Sequence, residues 1–291
     1  MTWQLILVGL GLGLVVGLTG VGGGSLMTPI LIIFFGFSPQ AAVGTDIVHG
    51  AIFKSFGSWR HRRLGTVHGH LALWLFAGSG PLAIAGVTVS WYLQSQLDNA
   101  ETILKMVIGA ALILGGLGFF AKSFVKRGVQ PSTGPFIMAR RDKVIAVLTG
   151  AVFGFIVGLT SVGSGTYFGL VMVLAYPLTM SRIVGTDIFH AAALLWIAGI
   201  GHAFIGDVDW HAVLWLLIGS IPGILISSRW TVRVPQMTIR LGLGGILIIS
   251  GIRLLDKNLP NWAFASLFVT LAVAVAIYTA AAMRRPRAAA P

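Results

Sequence analysis

The sequence predicts an all-α integral membrane protein built from two homologous repeats and one additional C-terminal helix. Of its residues, 56% are hydrophobic and only 10% are charged, and its mean hydropathy is +0.91. A soluble globular protein would carry about 25% charged residues. In addition, residues 17–81 align without a gap with residues 158–222, and 23 of these 65 positions are identical. We therefore expect about 8–9 transmembrane segments, most of them shared between the two repeats.

The apolar segments follow one another along both halves of the chain. A helix that crosses a hydrocarbon core about 30 Å thick needs roughly 20 apolar residues. The candidate segments are residues 3–35, 41–56, 71–93, 102–120, 144–176, 183–200, 212–227, 239–254 and 262–283. We divide the chain into a first membrane repeat (1–122), a basic cytoplasmic linker (123–142), a second membrane repeat (143–256) and an extra helix with a basic cytoplasmic tail (257–291).

The first apolar segment of each repeat is interrupted by glycines. In the first repeat, Gly-Val-Gly-Gly-Gly separates Trp3–Thr19 from Ser25–Phe35, and each part is short for a complete crossing. The segment is therefore either one spanning helix that is broken at mid-membrane or a re-entrant hairpin that returns to the face from which it entered.

The distribution of positive charge distinguishes these two arrangements, because cytoplasmic loops are enriched in Lys and Arg. The hairpin inverts the second repeat relative to the first and places nearly all loop Lys and Arg on one face. Broken spanning helices would divide these residues between both faces. The exceptions in the hairpin arrangement are Lys105, Arg253 and Lys257. We therefore expect inverted repeats, with the N-terminus periplasmic and the C-terminus cytoplasmic.

Composition and motifs also argue against several classes of protein. The net charge of +12 would fit nucleic-acid binding, but the Lys and Arg residues lie in loops, where membrane topology accounts for them. The chain has no cysteine, which excludes thiolate catalysis and cysteine metal sites. It also lacks a zinc-protease helix motif, a P-loop and a serine nucleophile elbow. We expect no enzyme activity, no cofactor and no nucleic-acid partner.

The two glycine-rich breaks predict a substrate site. Non-helical backbone at membrane depth is tolerated only where it is buried in protein or lines a wet cavity. Each break offers backbone N–H groups, hydroxyls and the N-terminus of the following helix, which together suit an anion. The alternative is that the glycines only permit close helix packing. The predicted substrate-binding residues here are Thr19, Gly20, Gly22, Gly23, Gly24, Ser25, Thr160, Ser161, Gly163, Ser164, Gly165 and Thr166.

A second repeated motif places ionisable residues inside a predicted span. Asp46 and His49 recur as Asp187 and His190. Residues three apart lie on one face of a helix, and ionisable groups inside a span are costly enough to indicate function. We expect these four residues to be candidates for proton coupling. The alternative is that the two aspartates are N-caps near the membrane surface.

Lys54 is a cation within a predicted span, and Leu195 replaces it in the second repeat. Its ammonium group is expected either to pair with Asp46 or Asp187 or to face a bound anion directly. The alternative is that its side chain reaches to the cytoplasmic surface, since Arg60 follows closely.

The remaining histidines are expected to have structural roles. His61 and His202 recur at the edges of loops, where capping or loop packing accounts for them. His68 and His70 form a His-x-His pair, but only His70 has a histidine counterpart, His211. We therefore expect no metal site.

Several of these motifs carry a family resemblance that covers nearly the whole chain. They are Gly17–Ser25 with Pro29, Ala42–Thr45, His61–Arg63 with Gly65 and Val67, and Gly206–Trp210. In these residues the chain resembles the TauE/SafE sulfite exporter family. The resemblance implies a bacterial inner-membrane permease for small sulfur-containing or organic anions, such as sulfite, sulfoacetate or related sulfonates. Many members of that family carry Ser where this chain has Asp46 and Asp187, so the substrate is left open.

Together these observations predict a secondary transporter that works by alternating access. The glycine-rich breaks would bind the anion, Lys54 would supply the counter-charge, and the Asp and His residues would couple protons. The expected partners are a small anion and the lipid bilayer, and homo-oligomerisation is left open. The alternatives are a passive anion channel, an intramembrane enzyme and a structural membrane subunit.

Overall fold

A computed structural model describes residues 2–19, 24–124, 136–227 and 236–256, together with residues 260, 262, 264, 266, 267 and 269–271. The regular elements of this part of the chain are ten α-helices. They are α1 (Thr2–Thr19), α2 (Gly24–Phe35), α3 (Pro39–Arg63), α4 (Gly69–Gln96), α5 (Ala100–Phe124), α6 (Arg140–Thr160), α7 (Tyr167–Ala175), α8 (Met180–Ile205), α9 (Trp210–Ser227) and α10 (Gln236–Leu255).

Five of these helices are long and apolar enough to cross a membrane. They are Gly69–Gln96, Ala100–Ala121, Arg140–Thr160, Met180–Ile205 and Trp210–Ser227. Shorter apolar helices are Thr2–Gly17, Ser25–Phe35 and Leu241–Leu255. The fold is therefore that of a multi-pass helical membrane protein, as the composition predicts. Helix α3 has 25 residues but is less apolar, because it carries Asp46, His49, Lys54 and a basic C-terminal end.

Helices α3 and α8 are capped before the repeated aspartates. Ser38 caps α3 by accepting a hydrogen bond from the backbone N–H of Ala41, and Thr179 caps α8 in the same way through Arg182. Asp46 and Asp187 lie eight residues further on, in the helix interior. The N-cap interpretation of the two aspartates is therefore wrong.

Glycines bring helices of the two repeats into close contact, since α1 packs against α9 and α6 packs against α4. A Cβ atom on Gly13 would overlap the backbone of Ser220, and one on Gly154 would lie 2.5 Å from the backbone oxygen of Ser79. Gly9 approaches Leu216 in the same way. Because residue numbers rise together along both partners, α1 runs parallel to α9. Small residues commonly permit such close approach of membrane helices.

The equivalent helices α3 and α8 pack directly against each other and run antiparallel. The Trp196 indole N–H donates to Ser55 Oγ at 3.0 Å, and these two residues are 141 positions apart. A Cβ atom on Gly57 would contact Ile188, whereas one on Gly199 would contact Val48. Helices α5 and α10 are also antiparallel, with close approaches at Gly109–Gly251 and at Gly116–Gly244.

Helices α6 and α7 form a hairpin. The Tyr176 hydroxyl, directly after α7, donates to the backbone oxygen of Asp142 in the first turn of α6 at 2.9 Å. Further along, the rings of Phe153 and Tyr167 stack with their centroids 4.8 Å apart. The chain therefore returns along α7 towards the end at which α6 began.

In the first repeat, residues from the start of α1 and the end of α2 line one surface groove. They are Gln4, Val8, Ile30, Phe34 and Phe35.

Several sequence predictions fall outside the described residues. Residues 125–135 of the proposed linker and most of residues 257–291 are among them, so the extra C-terminal helix stays a prediction. Gly20, Gly22 and Gly23 also lie outside this part of the chain.

Candidate functional site

The second glycine-rich break is a buried turn between α6 and α7. Ser161 ends α6 with a left-handed backbone (φ 61°), and Gly163 and Gly165 have φ values of 125° and 93°. Only glycine adopts such angles without strain, whereas a non-glycine residue at positive φ costs of order 1–3 kcal/mol. The polar side chains of this turn, which are all buried, are Thr160, Ser161, Ser164 and Thr166.

The breaks of the two repeats meet at equivalent residues. Ser25 Oγ lies 3.3 Å from Thr166 Oγ1, and both side chains are buried. Ser25 follows Gly24, the first residue of α2, so the start of α2 adjoins the second break. The side chain of Thr19, at the end of α1, is outside the described part. The structure thus brings Ser25 of the first break into contact with Thr166 of the second break.

Asp46 joins three elements at this meeting point. Its Oδ2 accepts hydrogen bonds from Thr28 Oγ1 on α2 at 2.7 Å and from Ser161 Oγ at 2.8 Å. Asp46 is 1% exposed, so the carboxylate has exchanged water for two protein hydroxyls. Thr28 was missed by sequence reasoning because its counterpart in the second repeat is Gly169.

Asp187 is equally buried but has different surroundings. The positions that correspond to Thr28 and Ser161 are Gly169 and Gly20, neither of which carries a hydroxyl. Both aspartates interact electrostatically with Lys54. The two hydroxyls that bond to Asp46 therefore have no equivalents in the other repeat.

Lys54 lies at the centre of the charged residues. Its Nζ donates to Ser164 Oγ in the second break at 2.8 Å, and the side chain is 1% exposed. The interpretation that Lys54 reaches the membrane surface is therefore wrong. Its ammonium group interacts electrostatically with a larger set of buried residues, namely Asp46, Asp187, His49 and His190.

His49 and His190 each bond to a serine of the other repeat. His49 Nε2 lies 2.8 Å from Ser220 Oγ, and His190 Nε2 lies 2.9 Å from Ser79 Oγ. The sequence motif did not include these serines. The available signal was that Gly78-Ser79 recurs as Gly219-Ser220 at the same offset of 141 residues.

The other repeated histidines have the structural roles expected from sequence. His61 Nδ1 lies 3.0 Å from Thr66 Oγ1, and His202 Nε2 lies 2.9 Å from the backbone oxygen of Gly158. His68 caps α4, because its Nδ1 accepts from the backbone N–H of Leu71. Within the described residues, no group of three or more His, Cys, Asp or Glu side chains is placed to hold a metal ion.

The groups that meet here can donate hydrogen bonds and carry charge. The breaks supply hydroxyls, Lys54 supplies one positive charge away from water, and carboxylates that can take up protons lie nearby. Electrostatic attraction is stronger in such an environment than in water, because the effective dielectric constant is lower. At Gly163, a Cβ atom would lie 2.6 Å from Cδ2 of Tyr167, so this glycine permits the close packing of the Tyr167 ring.

Comparisons with known proteins place the chain among membrane transporters. A model of the sulfite exporter TauE/SafE family matches residues 5–254. The chain is 38% identical over 255 residues to "Probable membrane transporter protein YjnA" of Bacillus subtilis, which covers 88% of this chain and 100% of that protein. It is 24% identical to the probable membrane transporter protein YdhB of the same organism, over 86% of this chain and 99% of that protein. It is also 24% identical to a probable membrane transporter protein of Methanocaldococcus jannaschii, over 86% of this chain and 94% of that protein. No solved structure matches the chain.

Proposed function

The chain belongs to the sulfite exporter TauE/SafE family of membrane transporters, and from this premise we propose that it is a secondary transporter of small anions in the bacterial inner membrane. The substrate is of the sulfite, organosulfonate or organic-acid type. The observation that carries this proposal is the burial of Lys54 against Ser164, where the two breaks meet. Ionisable residues inside a membrane are costly and accompany substrate or ion pathways.

The proposal includes two inverted repeats, each of which starts with a re-entrant hairpin. The antiparallel contacts of α3 with α8 and of α5 with α10 support the inversion, because each pair consists of repeat equivalents. The contact between Tyr176 and Asp142 supports the hairpin in the second repeat. With this topology the N-terminus is periplasmic and the C-terminus cytoplasmic, as the Lys and Arg distribution favours. Secondary transporters commonly bind substrate near the midplane between such repeats.

The anion binds to the two breaks and to Lys54. Hydroxyls of Ser25, Ser164 and Thr166 lie at the meeting point, and the N-terminus of α7 directly follows the second break. The first-repeat glycines and Thr19 complete the site by repeat equivalence. An ammonium group that is already desolvated binds an anion without paying again for the loss of water.

Proton coupling follows from the charges around the site. Asp46, Asp187, His49 and His190 are its candidates, and Lys54 interacts electrostatically with all four. An anion that enters this group adds negative charge beside two carboxylates. Taking up a proton with each monovalent anion keeps the net charge constant, which lowers the cost of moving the loaded site through a low-dielectric region.

The burial of the site favours a carrier over a channel. Lys54, Ser164, Asp46 and Asp187 are each no more than 2% exposed. A continuous open pore would leave such groups in contact with water, whereas a carrier passes through states in which its site is closed to both sides. Alternating access would then open the site to one face at a time.

The test is uptake of radiolabelled sulfite, sulfate and sulfoacetate into proteoliposomes, with and without an imposed proton gradient. We expect uptake of one of these anions to exceed that of protein-free liposomes and to rise with the gradient. Absence of uptake for all three would contradict the proposed substrate class. Flux that follows only the membrane potential would support an anion channel instead.

A further inference from the structure

Two buried histidines make the same hydrogen bond across the repeats. His49 bonds to Ser220, and His190 bonds to Ser79, in both cases through Nε2. None of these four side chains is more than 1% exposed. Because His190 is the repeat counterpart of His49 and Ser220 is that of Ser79, the arrangement occurs twice in the molecule.

The tautomer of each histidine depends on what lies beside Nδ1. Within the described residues, histidine Nε2 is the hydrogen-bond partner of each of these hydroxyls. If Nε2 carries the hydrogen, the serine O–H has no acceptor, and if the serine donates to Nε2, the Nδ1–H has none, so either tautomer leaves one costly unpaired donor. An oxygen acceptor beside Nδ1 removes this cost only when the serine donates to Nε2. With such an acceptor present, the neutral imidazole therefore carries its hydrogen on Nδ1.

This tautomer leaves a buried donor on each histidine. Nδ1 of His49 and Nδ1 of His190 have no hydrogen-bond partner within the described part of the chain. The His49 ring stacks on Phe53 with centroids 4.7 Å apart, and the His190 ring packs at a tilt against Phe168 with centroids 4.5 Å apart. These phenyl rings offer no hydrogen-bond acceptor of the usual kind. Unpaired buried N–H groups are rare in native proteins. A ligand that brings its own acceptors would explain both.

We propose that the Nδ1–H groups of His49 and His190 donate hydrogen bonds to oxygens of the transported anion. This inference rests on the proposed function and adds two residues to its substrate site. Lys54 interacts electrostatically with both histidines, so the ammonium group would draw an anion into their neighbourhood. Two donors from opposite repeats suit an oxyanion with at least two oxygen acceptors, such as sulfite or a sulfonate headgroup. A halide offers a single atom for the same purpose.

The inference separates the histidines from the carboxylates. A neutral Nδ1–H binds an oxygen and stays on its ring throughout the transport cycle. The carboxylates of Asp46 and Asp187 are then the groups that exchange protons. Loss of a histidine donor should weaken anion binding at every pH, whereas loss of a proton carrier should change the pH dependence.

Amide substitutions can separate the two ring nitrogens. The side-chain amide of Asn lies as far from the backbone as Nδ1 of histidine does. The side-chain amide of Gln lies as far from the backbone as Nε2 does. His49→Gln and His190→Gln therefore retain a partner for the serine but lose the donor to the anion. His49→Asn and His190→Asn do the reverse. His70→Gln, at an exposed histidine, is the matched control.

The measurement is the Kd of purified protein for sulfite and for sulfoacetate, by isothermal titration calorimetry at two pH values. We expect each Gln variant to bind about 10- to 100-fold more weakly at both pH values, which is the effect of one lost hydrogen bond to a charged group. The Asn variants should lose less affinity for the anion than the Gln variants, and the affinity of His70→Gln should match that of the wild type. Thermal unfolding of each variant confirms that it is folded.

Three results would overturn the inference. The first is a Gln variant that binds as tightly as the wild type. The second is a greater loss of affinity in the Asn variants than in the Gln variants, which would mean that affinity depends on the hydrogen bond to serine. The third is unchanged affinity with a flattened pH dependence, which would make the histidines proton carriers. If the wild type binds neither anion, the proposed substrate class fails as well, and this outcome is distinct from the other three.

Discussion

Replacing Lys54 by Met removes one ammonium group from the meeting point of the two breaks and keeps most of the apolar stem. In the structure this group makes a charge-assisted hydrogen bond of 2.8 Å to Ser164 and is 1% exposed. A hydrogen bond that involves a charged group contributes about 1.5–3 kcal/mol. If the anion binds to the same ammonium group, removal of this group should weaken anion binding by a similar free energy. At about 1.4 kcal/mol per tenfold change, this corresponds to roughly a 10- to 150-fold increase in Kd.

The same substitution affects stability, because the carboxylates of Asp46 and Asp187 lose a nearby positive charge. Removing one partner of a buried ionic group costs about 3–5 kcal/mol. Thermal unfolding in detergent is therefore measured beside the Kd. Lys54→Arg keeps the charge and should retain more affinity than Lys54→Met. Leu195→Met is the control, because Leu195 is the uncharged counterpart of Lys54 in the other repeat and the substitution introduces the same side chain without removing a charge.

The assay is isothermal titration calorimetry with the anion that the uptake experiment identifies. A folded Lys54→Met protein that binds this anion as tightly as the wild type would refute the role of Lys54. Equal losses in Lys54→Met and Leu195→Met would also refute it, because the effect would then not depend on charge.

Three further substitutions test other parts of the account. Gly165→Val should abolish transport, because it strains the second break by about 1–3 kcal/mol. Gly206→Val is the control, since Gly206 has nearly the same φ (91° against 93°) and open space around it, and this variant should leave transport intact. Normal uptake by Gly165→Val would remove the break from the substrate site. Asp187→Asn should flatten the dependence of uptake on pH, because the amide cannot take up a proton. An unchanged pH profile would exclude Asp187 from proton coupling. Gly13→Ala should destabilise the protein, because the added Cβ would overlap the backbone of Ser220. On the same helix, the Cβ of Gly11→Ala meets nothing within 4 Å, so this control should be neutral or stabilising by up to about 1 kcal/mol. Equal unfolding temperatures of the two variants would mean that α1 and α9 do not pack as described.

The sequence was sufficient to predict the helical membrane fold and the family. Composition required a membrane protein, and the motifs around Gly17–Ser25 identified the family before any contact was known. The glycine-rich interruption also indicated where the helices break, since a run of this kind does not continue a helix. These features depend on local composition and on the repeat, both of which can be read from one chain.

The hydrogen-bond partners at the site could not be predicted in the same way. Thr28 has no hydroxyl counterpart at Gly169, so comparison of the repeats gave no reason to select it. Ser79 and Ser220 do recur, but the sequence cannot tell that each bonds to the histidine of the opposite repeat. Such contacts depend on how the two repeats pack, and no spacing within one repeat encodes them.

The asymmetry of the site was only partly visible in the sequence. The replacement of Lys54 by Leu195 was evident, and so was the loss of hydroxyls at Gly20 and Gly169. The structure adds that the hydroxyls of Thr28 and Ser161, whose counterparts in the other repeat are glycines, both donate to Asp46.

The most direct test of the account is counterflow in proteoliposomes. Vesicles are loaded with a high concentration of unlabelled sulfite, diluted into a trace of radiolabelled sulfite, and followed with no imposed proton gradient or membrane potential. If the protein carries a small anion by alternating access, the label should accumulate transiently inside wild-type vesicles and not inside Gly165→Val vesicles. Label that only equilibrates, without transient accumulation, would mean that the anion passes through an open pore, and it would contradict the account.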